Sequence, residues 1–165
     1  MPSTSKLSKL WNGLPRTVIE SQPKGACDAE IARLQRSLGV SFPTGFAAYL
    51  GLSNGSRGLF RSAWDLMSVD EVEETWDMLN QVVRLRLESG EETKVLPEGP
   101  CRAHWWSDRW IPIAKNGKGD FICLDFDPAE QGTDAQVVLY LHDKPIRKVL
   151  APTFVDWLAE SLQVP

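Results

Sequence analysis

Three apolar segments separated by turns decide the fold of this chain. Residues 105–114 read WWSDRWIPIA, residues 115–119 read KNGKG, residues 120–128 read DFICLDFDP, and residues 136–142 read QVVLYLH. Asn116-Gly117 between apolar, β-forming residues is a strong hairpin signal, because both residues tolerate the positive φ angles of tight hairpin turns. The sequence therefore predicts that residues 110–114 pair with residues 120–126, with a further strand to follow.

Side chains alternate between the two faces of the second predicted strand, as they do in any β-strand. The first face carries Ile122, Leu124 and Phe126, and the second carries Phe121, Cys123, Asp125 and Asp127. We therefore expect the first face to contact the core. The second face is predicted to end in carboxylates.

Helical patterns surround these strands. Apolar residues at helical spacing predict helices near Leu7–Trp11, over 28–38, over 43–54, from Ser68 to Ser89 and at the C-terminus around Phe154–Leu162. Ser68 and Glu71 form a capping box, and Val72, Trp76, Leu79, Val83 and Leu87 line one side of the helix that follows. Gly39 and Asn54-Gly55 are typical of helix ends. The two helices predicted within residues 28–54 are therefore expected to form a tight helical hairpin.

The order of the elements predicts the fold class. Helices come first and strands cluster later, which indicates an α+β domain with a mainly antiparallel sheet, flanked by an N-terminal helical hairpin and a C-terminal helix. At 165 residues the chain fits one domain spanning 1–165. Residues 1–5 are expected to be flexible, because they offer little apolar surface to bury.

Charge and composition narrow the function classes. The formal net charge of −4 argues against nucleic-acid binding, which requires a basic surface, and favours basic or neutral protein partners. No segment approaches the ~20 apolar residues of a membrane span, and the first residues lack the apolar block of a signal peptide. Three widely spaced cysteines, Cys27, Cys101 and Cys123, suit a reducing compartment. We therefore expect a cytoplasmic protein.

Two enzyme-like patterns have simpler explanations. Residues 51–55 read GLSNG, which matches the G-x-S-x-G nucleophile elbow of hydrolases, with Ser53 as its nucleophile. That elbow requires a strand before the serine, whereas Ser53 ends a predicted helix, so we favour a helix stop. Residues 125–136 start like a calcium loop but lack its glycine and its final glutamate, so no calcium site is predicted.

A zinc site is a further alternative. Cys101 and His104 have the spacing of half a zinc site, and Cys123 and His142 could complete it. Nothing in the sequence pairs the second two residues, so they are expected to be packed or surface groups. We predict no catalytic residue, no metal ligand and no cofactor.

Carboxylates and tryptophans around the strands are candidates for partner binding. Asp120, Asp125, Asp127 and Asp134 form either a solvated strand end or an acidic rim that steers a basic partner. Trp105 and Trp106 are consecutive, so they point to opposite sides, and one of them is a candidate for an exposed anchor. The candidate partner-binding residues are Trp105, Trp106, Asp108, Asp120, Asp125, Asp127 and Asp134.

The same motifs resemble the SUKH superfamily, the bacterial relatives of the yeast cell-wall-assembly regulator. The resemblance covers about 28–162 and is carried, in order, by Leu38-Gly39 with Pro43, Ser53–Gly55, Trp105-Trp106, Trp110–Ala114, Gly119-Asp120, Leu124-Asp125, Asp127-Pro128, Gln136–Val138 and Phe154 with Trp157-Leu158. Ala135 stands where a glycine is expected before Gln-Val. No single motif is specific, but the ordered set is.

This resemblance implies a non-enzymatic immunity protein, of the kind that many bacteria encode beside a toxin and that blocks the toxin by binding. The yeast relatives imply an alternative, a regulatory protein-binding scaffold. A cryptic hydrolase using Ser53 or Cys101 is a third possibility. The sequence does not indicate the toxin's identity or the oligomeric state.

Overall fold

The computed structural model describes residues 2–91 and 93–163, which contain six helices and one six-stranded sheet. The helices are α1 (Pro2–Asn12), α2 (Arg16–Ser21), α3 (Asp28–Leu38), α4 (Thr44–Leu52), α5 (Val69–Glu88) and α6 (Phe154–Gln163). The strands are β1 (Asp65–Leu66), β2 (Leu96–Glu98), β3 (Trp110–Lys115), β4 (Phe121–Asp125), β5 (Gln136–Tyr140) and β6 (Ile146–Ala151). The predicted α+β fold is confirmed.

The sheet has the order β1-β3-β4-β5-β6-β2, and its strands are antiparallel except for the parallel pair β2–β6. The predicted hairpin is present as β3–β4, in which Trp110 lies opposite Asp125 and Lys115 lies opposite Phe121. Gly117 and Gly119 in its turn have φ angles of 75° and 93°, which residues with a Cβ atom rarely adopt. The short β2 lies in a segment that is rich in turn-forming residues, with Pro97, Gly99 and Pro100.

Local signals in the sequence set the boundaries of the helices. Ser68 caps α5 by accepting a hydrogen bond from the Glu71 N–H, and the Glu71 side chain accepts one from the Ser68 N–H, as the capping box predicts. Gly39 ends α3 in the left-handed conformation. Residues 2–5 belong to α1, and Met1 lies outside the described residues, so the predicted flexibility of 1–5 stays a prediction.

The two faces of the sheet are covered differently. On one face, Ile122, Leu139 and Leu150 lie near Trp157 of α6, and the aromatic rings of Phe154, Phe46 and Tyr49 join α6 to α4. The other face carries Cys123, Tyr140 and Arg147 and is crossed by residues 99–109, which we call the strap. α5 packs beside β3. Among the helices of the described residues, none combines the length and the apolar character that crossing a bilayer requires.

Candidate protein-binding surface

The strap is held against the sheet by hydrogen bonds to its backbone. The Gln136 amide donates to the carbonyl of Pro100 (Nε2 to O, 2.9 Å), and the Arg147 guanidinium donates twice to the carbonyl of Trp105 (Nε 3.1 Å, Nη2 2.7 Å). Gly99 begins the strap at a φ of 92°, where a Cβ would come within 3.1 Å of Val149. Its position is therefore fixed by polar contacts spread along its length.

Arg147 is a fully buried cation, and within the described residues its hydrogen bonds all go to backbone carbonyls. Besides its two bonds to Trp105, its Nη1 lies 2.7–3.1 Å from the carbonyl oxygens of Leu141, Lys144 and Ile146. Burial lowers the pKa of the Arg147 guanidinium, because desolvation disfavours its charged form. The surrounding carbonyl oxygens stabilise its charge, and Arg147 thereby joins the strap to the turn before β6.

Trp105 is a partly buried aromatic residue of the strap. Two guanidinium groups lie against its ring, Arg86 at 3.9 Å and Arg147 at 4.8 Å from the ring centroid. Beside it runs an open groove of about 600 Å³, and its walls include Val83 and Leu87 of α5. These two cations restrict the motion of the ring, and part of its surface stays exposed to solvent.

Trp106, by contrast, is buried, with 7% of its surface exposed. Its indole N–H donates to the side-chain oxygen of Asn80 (2.8 Å), and its ring packs edge-on against Trp110 and Tyr140. The two consecutive tryptophans thus occupy different environments, and Trp106 is inaccessible to a partner in this structure. Asp108 is exposed, and its backbone carbonyl accepts a hydrogen bond from the Trp76 indole (2.9 Å).

The four aspartates of the predicted acidic rim do not lie together. Asp120 precedes β4, whereas Asp125 ends that strand and Asp127 and Asp134 follow it. A five-residue strand separates the two ends by about 16 Å, since each residue advances the chain by about 3.3 Å. The structure thus offers two separate sets of carboxylates.

Asp120 stabilises the end of the β3–β4 hairpin. Its Oδ1 accepts hydrogen bonds from the backbone N–H (3.1 Å) and the Nδ1 (2.8 Å) of His142, and Asn116 donates to Oδ2. Burial would raise the pKa of Asp120, but the hydrogen bonds from His142 and Asn116 outweigh it and lower that pKa. Asp120, His142 and Asp143 form the one cluster of three potential metal ligands in the described residues, and hydrogen bonds already occupy Asp120.

Asp125 is fully buried beneath the strap. Its Oδ1 accepts the backbone N–H of Asp127 (2.9 Å), and its Oδ2 accepts the Gln136 amide (3.0 Å). Burial raises the pKa of Asp125 above its ordinary value. Asp125 therefore stabilises the loop after β4 and presents no charge to a partner.

Asp127 and Asp134 lie among basic residues. Asp127 pairs with Arg102 of the strap at 3.1 Å, and Asp134 lines an open cavity of about 580 Å³ together with Arg36 and Arg109. This end of the sheet is consequently mixed in charge. Of the candidate partner-binding aspartates, Asp108, Asp127 and Asp134 keep accessible carboxylates near the strap.

The residues considered for catalysis and zinc binding do not converge. Ser53 is buried, and its hydroxyl donates to the carbonyl of Gly55 (2.7 Å). The Cys101 thiol contacts the carbonyl of Arg147, and burial raises the pKa of both Cys101 and Cys123, which disfavours their thiolates. His104 lies beside Trp110, whereas His142 lies beside Asp120.

Sequence reasoning missed the two arginines that hold Trp105. Arg86 lies near the end of a helix and Arg147 lies on a strand, so each has the ordinary signature of a solvated side chain. The clue that could have found Arg147 is its position inside an apolar strand, where charged residues are rarely buried without partners.

Comparison with known proteins gives two findings. A model of the SMI1 / KNR4 family (SUKH-1) matches residues 25–160. The chain is also 26% identical over 177 aligned positions to the cell wall biosynthesis/cell cycle regulator smi1 of Schizosaccharomyces pombe. That alignment covers 93% of this chain but 35% of the relative, so the chain spans about a third of the length of that protein.

Proposed function

Because this chain belongs to the SMI1 / KNR4 family (SUKH-1), we propose that it is a protein-binding domain without catalytic activity, and that it neutralises a cognate toxin by occluding it. The family match confirms the resemblance that the sequence motifs predict. The observation that carries the proposal is the partly exposed Trp105, whose ring is contacted by the guanidinium groups of Arg86 and Arg147.

Trp105 has the properties of a binding anchor. Tryptophan supplies a large apolar contact with few rotatable bonds, and it is enriched among the residues that dominate interface energies. Here the ring is immobilised by Arg86 and Arg147 in the free protein, so binding costs little further side-chain entropy. The groove beside it, with Val83 and Leu87 in its walls, can take an apolar side chain of the partner.

Electrostatic attraction guides the partner towards this surface. With a formal charge of −4, the protein attracts a basic surface, and Asp108, Asp127 and Asp134 place accessible carboxylates near the strap. A toxin that acts on an anionic substrate presents such a surface around its own active site. Occluding that surface blocks the substrate path without any chemistry by this chain.

Three free cysteines support a cytoplasmic address for this activity. Cys101 and Cys123 are buried, Cys27 is exposed, and none is paired. A protein with unpaired thiols is suited to a reducing compartment, where a toxin would act on its own producer.

The proposal is tested with the protein encoded by the adjacent reading frame, by co-expression and by a binding measurement. We expect wild-type protein to protect the cells, and Trp105→Ala to raise the dissociation constant about 30-fold or more, as loss of an interface anchor does. The matched control is Trp64→Ala, because Trp64 is half-buried on the opposite face of the sheet. Thermal unfolding of both variants separates lost binding from lost folding.

Cells that die despite co-expression would contradict the immunity function. Equal effects of Trp105→Ala and Trp64→Ala on affinity would contradict the anchor role of Trp105. Both measurements use the full chain, so neither depends on a fragment that folds by itself.

A second candidate is a regulatory scaffold that binds a housekeeping protein. The name of the Schizosaccharomyces pombe relative, a cell wall biosynthesis/cell cycle regulator, favours this alternative. The two candidates share the strap surface and differ in the partner. Binding of the adjacent gene product separates them, since a scaffold has no affinity for it.

A further inference from the structure

The second half of α5 carries apolar side chains that the rest of the described chain leaves uncovered. The exposed ones are Met78 (47%), Val82 (50%), Leu85 (66%) and Leu87 (73%). Leu79 is the last buried residue of the helix, so α5 continues beyond the core that supports its first half. Leu87 belongs to the side of the helix that the sequence predicts to be buried, and for this residue the prediction is wrong.

Met78, Val82 and Leu85 form one stripe along the outer side of α5. They are spaced i, i+4 and i+7, which places them within about 60° of one another around a helix that turns by about 100° per residue. We call these three residues the α5 stripe. Val83 and Leu87, which line the groove beside Trp105, lie on a different side of the helix.

A glutamate lies at each end of the α5 stripe. Glu74 precedes Met78 by four residues and Glu88 follows Leu85 by three, so each is a neighbour of the stripe on the helix surface. Both glutamates are exposed. Neither takes part in an ion pair within the described residues. The stripe is thus a short apolar surface with an unpaired negative charge at either end.

The basic residues around α5 do not neutralise these two glutamates. Three of them pair with other carboxylates: Arg33 with Asp70 and Glu73, Arg86 with Glu91, and Lys115 with Glu71. Arg84 lies more than about 100° around the helix from the α5 stripe, next to the oppositely charged Asp77. The surface around the stripe is therefore acidic.

This charge pattern decides which kind of partner can cover the stripe. A second copy of this chain would bring glutamates together, Glu74 against Glu74 in a parallel pair of helices and Glu74 against Glu88 in an antiparallel one. An anionic membrane or a nucleic acid would meet the same repulsion, because both present negative charge. A basic polypeptide is the partner whose charge complements the stripe.

We propose that the α5 stripe binds a helix of another protein that carries a matching apolar stripe with a lysine or arginine at each end. Glu74 and Glu88 are about 21 Å apart along the helix axis, since each residue of a helix rises about 1.5 Å. A helix packed lengthwise on α5 must therefore space its two basic residues by about four turns. This surface is separate from the strap, so the inference goes beyond the proposed function.

Two synthetic peptides test the proposal by fluorescence anisotropy. Each is an alanine-based helix of about 20 residues with a central leucine stripe, and its two charged residues, about four turns apart, are lysines in the first peptide and glutamates in the second. We expect the lysine peptide to bind the wild-type protein with a dissociation constant of roughly 10–100 µM, and at least about tenfold more tightly than the glutamate peptide at low salt.

Replacement of the apolar side chains tests the stripe without changing its charge. Val82→Gln with Leu85→Gln is expected to raise the dissociation constant of the lysine peptide at least about fivefold, because the apolar contact is lost. The matched control is Leu52→Gln, since Leu52 is an exposed leucine on α4, and it should leave the affinity unchanged. Circular dichroism of both variants shows whether they keep the wild-type fold.

A charge reversal tests the role of the two glutamates. Glu74→Lys with Glu88→Lys is expected to reverse the preference, so that this variant binds the glutamate peptide more tightly than the lysine peptide. Glu20→Lys with Glu160→Lys changes the net charge equally on α2 and α6, and it should keep the wild-type preference. A reversed preference is a gain of binding, which misfolding does not produce.

The proposal is overturned if the lysine peptide fails to bind at about 1 mM, if both peptides bind equally, or if the glutamine variant binds like the wild type. Dimerisation of the wild type, or its binding to phosphatidylserine vesicles, would also overturn the proposal if the glutamine variant abolished it, because the stripe would then have a different occupant. Trp105→Ala is expected to leave peptide binding unchanged. Failure of this surface and failure of the proposed function are therefore distinguishable.

Discussion

Ala135 shows how a single backbone position constrains a sequence. It is the one residue other than glycine with a positive φ angle in the described chain, at 58°. Its N–H donates to the carbonyl of Asp125 (2.8 Å), which closes the loop between β4 and β5. The left-handed conformation costs an ordinary residue about 1–2 kcal/mol, which explains why the resemblance predicts glycine here.

We expect Ala135→Val to reduce the free energy of unfolding by about 2–3 kcal/mol, because a β-branched side chain is strained further at positive φ. Ala135→Gly is expected to change it by less than about 1 kcal/mol, since relief of strain offsets the lost methyl group and the greater freedom of the unfolded chain. Urea unfolding measures both. If valine is tolerated while glycine is costly, packing of the methyl group governs this position instead of the backbone.

The two consecutive tryptophans mark a limit of prediction at this scale. Alternation in an extended segment predicts that Trp105 and Trp106 point to opposite sides, and the structure places them in different environments. Which one is buried depends on Asn80 and Arg147, whose approach no local pattern reveals. Asp125 is a similar case. Alternation along β4 predicts the face of the sheet on which Asp125 lies, but it does not predict that the strap covers and buries this residue.

At the scale of elements, local signals predict where α5 begins and distant contacts decide what it buries. The capping box at Ser68 and Glu71 lies inside the first turn, so the sequence alone identifies it. The apolar pattern, however, continues to Leu87, and periodicity cannot show that the core ends near Leu79. Met78, Val82, Leu85 and Leu87 in the second half of α5 remain exposed as a result.

The strap is an element without regular structure, and one side chain anchors its centre. Arg147→Lys keeps the charge but replaces a planar fork of donors with a single ammonium group. We expect it to reduce the free energy of unfolding by about 3 kcal/mol, because the carbonyl of Trp105 loses two charge-assisted hydrogen bonds. Tryptophan fluorescence should shift to longer wavelength as the strap loosens.

Arg102→Lys is the matched control for this substitution. Arg102 also lies on the strap, but its guanidinium pairs with Asp127 at the surface, and both side chains are more than 40% exposed. Exposed ion pairs contribute about 0–1 kcal/mol, so this variant should unfold almost like the wild type. Equal destabilisation by the two variants would show that Arg147 contributes no more to the stability of the strap than an arginine at its surface.

At the scale of the whole molecule, the sequence predicts the fold class and one hairpin, but not the order of the strands. The parallel pairing of β2 with β6 joins residues 96–98 to residues 146–148, and β3, β4 and β5 lie between these two strands in the sequence. Such a contact has no local signal, since a three-residue strand shows no alternation of its own. The same long-range closure brings the strap over Asp125 and so buries one carboxylate of the predicted acidic rim.

Because the predicted acidic rim is divided, a partner can be steered either by the carboxylates near the strap or by the net charge of the whole molecule. Salt screens exposed charges beyond about 8–10 Å, whereas the two sets of carboxylates lie about 16 Å apart along β4. Local charges near the strap should therefore influence a docking partner more than equal charges elsewhere. The net charge of −4 acts on all approaches alike.

Two matched triple variants separate these contributions. The first variant replaces Asp108, Asp127 and Asp134 with lysine. The second replaces three exposed residues far from the strap, Glu20, Asp28 and Glu160, with lysine, so both variants change the formal charge equally. In stopped-flow measurements with the adjacent gene product, we expect the first set to slow association about tenfold at low salt and to flatten its salt dependence. The second set should have the smaller effect. Equal slowing would assign steering to net charge alone, and no slowing by either set would contradict a basic partner surface.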